Sequence, residues 1–116
     1  MAPTSIRVGR NLADHPGLHR VTDILRCKWT MAILDAISRG VNRPGRLERE
    51  LPGLTTKVLN ERVRKLERFG VIVRRSYAEI PPRVEYELTE RGERLVELIA
   101  TIAEFSEDWA DPAARR

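Results

Sequence analysis

The sequence predicts a mainly α-helical domain that carries one small antiparallel β-hairpin. Three observations lead to this fold class: apolar residues recur at helical spacing over most of the chain, two short runs have strand character, and Pro or Gly stands at the expected borders. A length of 116 residues leaves room for a single domain with one modest core.

The first half of the chain predicts three helices after an N-terminal arm. Residues 1–17 show little periodicity, so we expect a flexible arm there. The helices are expected at residues 18–26, 29–38 and 46–51. Gly40 follows the second helix in the usual C-terminal position, and Pro52 with Gly53 ends the short third one.

A longer helix is predicted to follow and to continue to Phe69. Thr55 or Thr56 can cap its first turn, and Gly70 ends it. Its core face consists of apolar residues at intervals of four and three, namely Leu59, Val63 and Leu66. A short helix, a Pro-Gly turn and a longer capped helix together predict a helix-turn-helix motif.

Directly behind this longer helix the apolar period changes from helical to extended. Residues 71–73 are β-branched, and residues 83–88 alternate between polar and apolar side chains. Pro81 and Pro82 favour an extended turn between the two runs. A β-hairpin in this place is a wing, so the sequence predicts a winged helix-turn-helix domain over residues 18–110 and a tail over 111–116.

The last part of the domain, residues 89–110, predicts one helix that is unusually apolar around its girth. A small domain has a limited core, so we expect a two-fold related copy to cover part of this helix and to form a homodimer. The residues predicted at this interface are Leu18, Leu95, Leu98, Ile99, Ile102, Phe105 and Trp109. The alternative is a helix that packs wholly within its own chain.

Charge is distributed unevenly along the chain. Residues 55–83 carry eight Lys or Arg against three Asp or Glu, whereas residues 84–116 carry four against nine. A basic middle segment indicates a polyanionic partner, and double-stranded DNA is the partner that a helix-turn-helix suits. The alternative is a solvated surface whose charge is merely uneven.

The longer helix holds the main candidates for DNA contact. If its aliphatic edge is buried, the residues that face outward or lie at its first turn are Thr55, Thr56, Lys57, Asn60, Glu61 and Arg64. Asn60 can pair with adenine through two hydrogen bonds, and Lys57 or Arg64 can contact guanine or phosphate. The two threonines and the first-turn N–H groups suit a phosphate oxygen.

The hairpin adds three arginines that can contact the DNA backbone or a narrow minor groove: Arg74, Arg75 and Arg83. The alternative is that they pair with acidic residues of the same hairpin. We expect that at least one of them does so, with Glu79, Glu85 or Glu87 as its partner.

Other chemistry is weakly indicated. Cys27 lies between Arg26 and Lys28, and basic neighbours favour a reactive thiolate, so redox sensing is one hypothesis and a buried or incidental cysteine is the other. His15 and His19 are four residues apart but lack the acid of a helical zinc motif, so we expect no metal. No catalytic constellation and no cofactor motif is evident, and we predict no enzyme and no cofactor.

The sequence also predicts where the protein resides. No stretch approaches the roughly 18 apolar residues of a membrane span, and the N-terminus lacks the apolar core of a signal peptide. A single cysteine excludes an internal disulfide framework. We therefore expect a cytoplasmic protein with no membrane partner.

Several short motifs resemble those of the HxlR-type winged-helix regulators of bacteria. They are KWT at 28–30, LPGL at 51–54, KVL at 57–59, RVRKLE at 62–67, FGVI at 69–72 and PPRVEYELT at 81–89. The resemblance implies a dimer built from terminal helices and control of nearby genes. Some members sense oxidants through an N-terminal cysteine near a proline, but this chain has His15-Pro16 there, and Cys27 stands where members usually have glycine.

Together these observations predict a transcriptional regulator that binds a palindromic operator as a homodimer, more in keeping with a repressor than an activator. The alternatives are a winged helix that docks other proteins, and a regulator that responds to a thiol reagent or to a small-molecule effector of unknown identity.

Overall fold

The computed structural model describes residues 11–110, apart from the side chains of Asp108 and Ala110. Within that range the helices are α1 (Pro16–Arg26), α2 (Thr30–Ser38), α3 (Pro44–Glu50), α4 (Thr56–Phe69), α5 (Glu90–Phe105) and α6 (Glu107–Ala110). Strands β1 (Ile72–Tyr77) and β2 (Arg83–Leu88) form one antiparallel hairpin between α4 and α5. The predicted fold class is therefore confirmed.

The N-terminal arm is shorter than predicted. Residues 12–14 form a single 3-10 turn, and α1 already begins at Pro16. Proline suits the first position of a helix, and the Nδ1 atom of His15 caps this one by accepting a hydrogen bond from Leu18 N at 3.1 Å. Residues 1–10 of the predicted arm, and the predicted tail, lie outside the described residues.

Helix α2 also begins later than predicted. Trp29 precedes it as the N-terminal cap residue and has a φ of 79°, in the left-handed region. Its ring lies beside Gly53, where an added Cβ atom would come within 3.5 Å of the indole. The helical spacing of Trp29 therefore reflects a turn that is held by contact with the Pro52-Gly53 segment, and the first helical residue is Thr30.

One core joins the helices to the hairpin. The largest fully buried side chains come from α1, α2, α3, α4 and β1: Ile24, Ile33, Leu34, Leu47, Leu59, Leu66 and Ile72. Leu59, Val63 and Leu66 of α4 are all buried, which confirms the predicted core face of that helix. Burial of such side chains is the main stabilising contribution to a domain of this size.

The second strand of the hairpin is also linked to the helical part of the chain by a backbone hydrogen bond. Strands β1 and β2 pair from Ile72 opposite Leu88 to Tyr77 opposite Arg83. The backbone N–H of Tyr86 donates to the carbonyl oxygen of Asn42 at 2.9 Å, so β2 is also bonded to the loop between α2 and α3. Tyr86 is buried, which agrees with the predicted half-buried strand.

A tight junction fixes α5 against the end of α4 and the start of β1. The hydroxyl of Thr89 donates to Gly70 O at 2.7 Å and accepts from Gly92 N at 3.0 Å. A Cβ atom on Gly92 would lie 2.0 Å from the carbonyl oxygen of Val71, a distance that no side chain tolerates. Glycine at this position therefore lets the first turn of α5 pack directly on the backbone of the hairpin.

Candidate nucleic-acid interface

Helix α4 presents one apolar edge to the core and one polar edge to solvent. Its start is defined by Thr55, whose hydroxyl accepts a hydrogen bond from Val58 N at 3.2 Å. Its end is defined by Gly70 in the left-handed conformation with a φ of 86°. The buried edge sets the rotation of the helix, so the opposite edge is exposed along its whole length.

Four of the six predicted α4 residues are exposed and make no hydrogen bond or ion pair with another described residue. They are Lys57, Asn60, Glu61 and Arg64. The two threonines are already engaged, because Thr55 caps the helix and the hydroxyl of Thr56 donates to Glu48 Oε1 of α3 at 2.9 Å. The donors that remain for a partner, on Lys57, Asn60 and Arg64, therefore lie on the first three turns of α4.

Two of the three hairpin arginines, Arg75 and Arg83, are already paired with carboxylates. Arg75 pairs with Glu87 at 2.8 Å, and this hydrogen bond and charge raise the pKa of Arg75 above its ordinary value. Arg83 pairs with Glu79 at 3.0 Å and with Glu85 at 3.6 Å. The prediction that at least one of these arginines pairs within the hairpin is confirmed.

Arg83 is held on a third side as well. Its guanidinium carbon lies 4.0 Å from the centre of the Tyr77 ring, directly across the hairpin. Its side chain is 29% exposed, and its Nε atom is buried. These contacts make Arg83 part of the structure of the hairpin, so it is not a free cation at its surface.

Arg74 lies on the side of the hairpin that faces the groove beside α4. Its Nη1 atom donates to Ser76 Oγ at 2.8 Å, and its guanidinium lies near the hydroxyl of Tyr86. Burial raises the pKa of Tyr86, and Arg74 opposes that rise. Arg74 of the hairpin and Asn60 and Arg64 of α4 line one shared groove of 460 Å³.

Two features of this surface carry no local sequence signal. The Thr56–Glu48 hydrogen bond joins residues eight positions apart in different helices. Tyr86 forms a wall of the groove between α4 and the hairpin, although its place in an alternating strand predicts only burial. The first depends on how α3 packs on α4, and the second depends on how the hairpin packs against α4.

The terminal helix differs from the prediction in two ways. It is interrupted at Ser106, whose hydroxyl donates to Ile102 O at 2.7 Å, so Trp109 lies on the short helix α6. Leu95, predicted at the dimer interface, is only 7% exposed because it packs in the core of its own chain. Ile99 is half-buried and packs against that core.

The other predicted interface residues remain exposed in the single chain. Their exposed fractions are 41% for Leu18, 47% for Leu98, 44% for Ile102, 75% for Phe105 and 59% for Trp109. The rings of Phe105 and Trp109 lie 6.3 Å apart. The exposed sides of the terminal helices α1, α5 and α6 therefore carry apolar surface.

A family model described as HxlR-like helix-turn-helix matches residues 24–114, most of the chain. The chain belongs to the HxlR-like helix-turn-helix family. The resemblance found in the motifs is confirmed, and the domain is that of a transcriptional regulator with a DNA-binding helix-turn-helix.

Relatives of this HxlR-like chain are named HTH-type transcriptional regulators. The HTH-type transcriptional regulator sll1512 of Synechocystis sp. is 40% identical over 94 residues, which are 81% of this chain and 70% of that protein. The HTH-type transcriptional regulator YvaP of Bacillus subtilis is 35% identical over 84% of this chain and 91% of its own. These names agree with the prediction of a regulator rather than an enzyme.

Solved structures confirm the winged helix-turn-helix fold. A transcriptional regulator assigned to the MarR family from Enterococcus faecalis V583 has a TM-score of 0.78 and is 31% identical, over 91% of this chain and 98% of its own. The redox regulator HypR in its reduced form has a TM-score of 0.76 and is 28% identical, over 86% of this chain and 99% of its own.

The candidates for redox or metal chemistry, Cys27, His15 and His19, each contact neighbouring groups of the HxlR-like chain. Cys27 is half-buried, and its Sγ atom lies 3.1 Å from Nζ of Lys65 on α4; Arg26 instead pairs with Asp23. His15 caps α1, and Nε2 of His19 contacts the carbonyl oxygen of Ala13.

Two further features, a metal-ligand cluster and a membrane-spanning helix, are absent from the described part of residues 11–110. No three His, Cys, Asp or Glu side chains are grouped there as metal ligands. No helix in that range is long and apolar enough to cross a membrane.

Proposed function

We propose that this HxlR-like chain is a homodimeric repressor that binds a palindromic operator in double-stranded DNA and reads its sequence with α4. One observation carries the proposal: the exposed edge of α4 holds Lys57, Asn60, Glu61 and Arg64 without partners among the described residues. A helix of this width fits the major groove, where each base pair presents a distinct pattern of donors and acceptors.

Each α4 residue has a role that follows from its chemistry. Asn60 offers a donor and an acceptor on one planar amide, which matches the two polar atoms of adenine in the major groove. Lys57 and Arg64 flank it by one turn on either side and suit guanine or phosphate. Glu61 can accept from the amino group of cytosine and excludes other bases there.

The hairpin contributes position rather than sequence reading. Arg74 is exposed and lines the same groove as Asn60 and Arg64, so it is the hairpin cation best placed to contact a phosphate beside the major groove. Arg75 can join it after separation from Glu87, since that pair is exposed and weakly held. Arg83 shapes the hairpin through its two carboxylates and Tyr77.

A two-fold dimer completes the proposal. The exposed apolar residues Leu98, Ile102 and Phe105 lie on α5, and Leu18 lies on α1, so a second copy can cover both terminal helices. Symmetric pairing of this kind presents two copies of α4, and half-sites on one DNA face are about 34 Å apart. The acidic residues of the C-terminal segment keep this surface away from DNA.

Selection of bound duplexes from a random pool tests the proposal. We expect an enriched consensus with two inverted half-sites whose centres are about 10 base pairs, or a multiple of that, apart. A pool without enrichment, at a salt concentration where the protein still binds duplex DNA, would contradict sequence-specific recognition. A single, asymmetric half-site would contradict the two-fold arrangement.

A thiol-responsive version of this regulator is a second candidate. Cys27 stands beside Lys65, and Lys65 belongs to the same helix as the base-reading residues, so modification of the thiol bears directly on α4. A relative in the fold comparison is named a redox regulator. Alkylation with N-ethylmaleimide should lower operator affinity of the natural chain and leave the Cys27→Ser variant unchanged; equal loss in both would contradict it.

A further inference from the structure

A second groove lies at the opposite end of α4 from its first, base-reading turns. It has a volume of 690 Å³ and is formed by the start of α1, the end of α4, Val71 between α4 and β1, and the first half of α5. Sites that hold small organic ligands commonly have volumes of about 300–1,000 Å³. The groove is therefore large enough to hold a small organic ligand.

The groove combines positive charge with an apolar floor. Four arginines line it: Arg20, Arg68, Arg91 and Arg94. The floor between them is provided by apolar side chains, among them Val21, Phe69, Leu95 and Leu98. No Asp or Glu side chain lines this groove within the described residues.

No carboxylate described in residues 11–110 forms an ion pair with these arginines. The side chains of Arg20, Arg68 and Arg94 make no hydrogen bond or ion pair with another described residue. Arg91 donates from Nη1 to the carbonyl oxygen of Phe69 at 3.1 Å, which holds its guanidinium at the wall of the groove. The neighbouring carboxylate of Asp23, in an adjoining groove, is paired with Arg26 at 3.0 Å.

We propose that this groove binds an amphipathic organic anion, a carboxylate carried on an aromatic or alkyl body. A guanidinium presents paired donors that match the two oxygens of a carboxylate, and several guanidiniums around one site favour an anion over a neutral molecule. The apolar floor requires a body that gains from leaving water, which inorganic phosphate or a DNA backbone lacks.

Such a ligand would contact three helices at once. It would join α4, which carries the proposed base-reading residues, to α1 and α5, which carry the proposed dimer surface. A ligand changes DNA affinity only if it binds the DNA-competent and DNA-incompetent arrangements unequally. Control of DNA binding therefore rests on the proposed function, whereas binding of the anion does not.

The binding test uses 2-naphthoate as the amphipathic anion, with acetate for charge alone and 2-naphthamide for the apolar body alone. The full chain labelled with ¹⁵N is titrated with each probe and followed by NMR. We expect saturable shifts of amides near residues 17–21, 68–71 and 91–98 with 2-naphthoate, at an affinity at least about tenfold above that of either control probe.

Matched variants assign the charge. The Arg68→Gln/Arg94→Gln double variant should lose 2-naphthoate affinity by about tenfold or more, whereas Arg49→Gln, an exposed arginine of α3 outside the groove, should retain it. Equal melting temperatures of the variants verify folding. The proposal is overturned by absence of saturable binding, by equal affinity for acetate or 2-naphthamide, or by a double variant that binds as the natural chain does.

A further arm measures operator affinity with and without 2-naphthoate. Binding of the probe without any specific duplex binding would contradict the proposed function and would still support the ligand site. The reverse result, specific duplex binding with no probe bound, would overturn the ligand site alone. If a second copy's acidic residues fill the groove, the probe fails to bind and the site is likewise overturned.

Discussion

The exposed edge of α4 and the outer face of the hairpin both carry basic residues, but only on the hairpin are basic residues already paired with carboxylates of the described chain. On α4, Lys57 and Arg64 have no ion pair with a described residue. On the hairpin, Arg75 and Arg83 are held by three carboxylates, those of Glu79, Glu85 and Glu87. Adjacent segments of one sequence thus differ in how much of their charge a partner can use.

The difference follows from the geometry of the two elements. In the hairpin, Arg75 on β1 pairs diagonally across the strands with Glu87 on β2. Arg83 pairs with Glu85, two positions along its own strand, and with Glu79 in the turn. An isolated helix edge has neighbours only three or four positions away, and pairs there are weak. The number of cations in a basic segment therefore overstates the charge that is free for DNA.

The largest effect is expected where α5 packs on the segment that joins α4 to the hairpin. Gly92→Ala places a Cβ atom 2.0 Å from Val71 O, so α5 must shift away from β1 and the positions of both basic surfaces are lost. Overpacking of this kind costs about 1–3 kcal/mol or more, and we expect the melting temperature to fall by at least about 10 °C.

Gly45→Ala is the matched control for that substitution. Gly45 lies in the first turn of α3, where an added Cβ atom would meet only the end of the Arg49 side chain at 3.8 Å. Its melting temperature should stay equal or rise slightly, because alanine favours helix. Equal melting curves for both variants would show that α5 does not pack on the hairpin as described.

The next largest effect concerns the pairing of two α4 helices. Ile102→Glu places a charge in the exposed apolar stripe of α5, and we expect a monomer in analytical ultracentrifugation. Loss of bivalent contact should lower operator affinity by about a hundredfold or more. Ala100→Glu, exposed on another face of α5, should remain dimeric; dissociation of both variants, or of neither, would contradict the proposed interface.

Within the hairpin, Arg74, which pairs with no carboxylate of the described residues, can be compared with Arg83, which pairs with two. Arg74→Gln should weaken binding to all duplexes and reduce the slope of log affinity against log salt by about one, because one phosphate contact is lost. Arg83→Gln should leave that slope unchanged and lower the melting temperature, because Arg83 bridges Glu79, Glu85 and Tyr77. The opposite assignment of the two effects would reverse their proposed roles.

The smallest effect should come from freeing a paired cation. Glu87→Gln removes the partner of Arg75, and we expect operator affinity to rise by about two- to fivefold with a steeper salt dependence, as expected for release of an exposed pair. Glu97→Gln removes an equal charge from α5, outside the hairpin. If both variants gain equally, net charge alone explains the effect and Arg75 is not involved.

Much of the fold could be predicted because its signals are local. Thr55 and Gly70 mark the ends of α4, the spacing of Leu59, Val63 and Leu66 sets its buried edge, and alternation identifies β2. The same local signals place Asn60 on the exposed edge. Features decided within one helix or one strand are those that periodicity and capping can show.

The features that sequence did not show depend on contacts between distant segments. Leu95 belongs to a stripe that continues into the exposed surface, and only packing places it in the core. Trp29 has helical spacing but forms a left-handed turn against Gly53. The arginine groove draws on α1, α4 and α5, and the acidic composition of the C-terminal third conceals the two arginines that α5 supplies.

Base preference of Asn60→Ala, measured beside the natural chain on the selected operator and on its single-base variants, tests the central claim most directly. We expect discrimination to fall by about 1–3 kcal/mol at one base step in each half-site, with the other positions unchanged. An unaltered preference at every position, in a variant that still folds and binds, would contradict the reading of DNA by the exposed edge of α4.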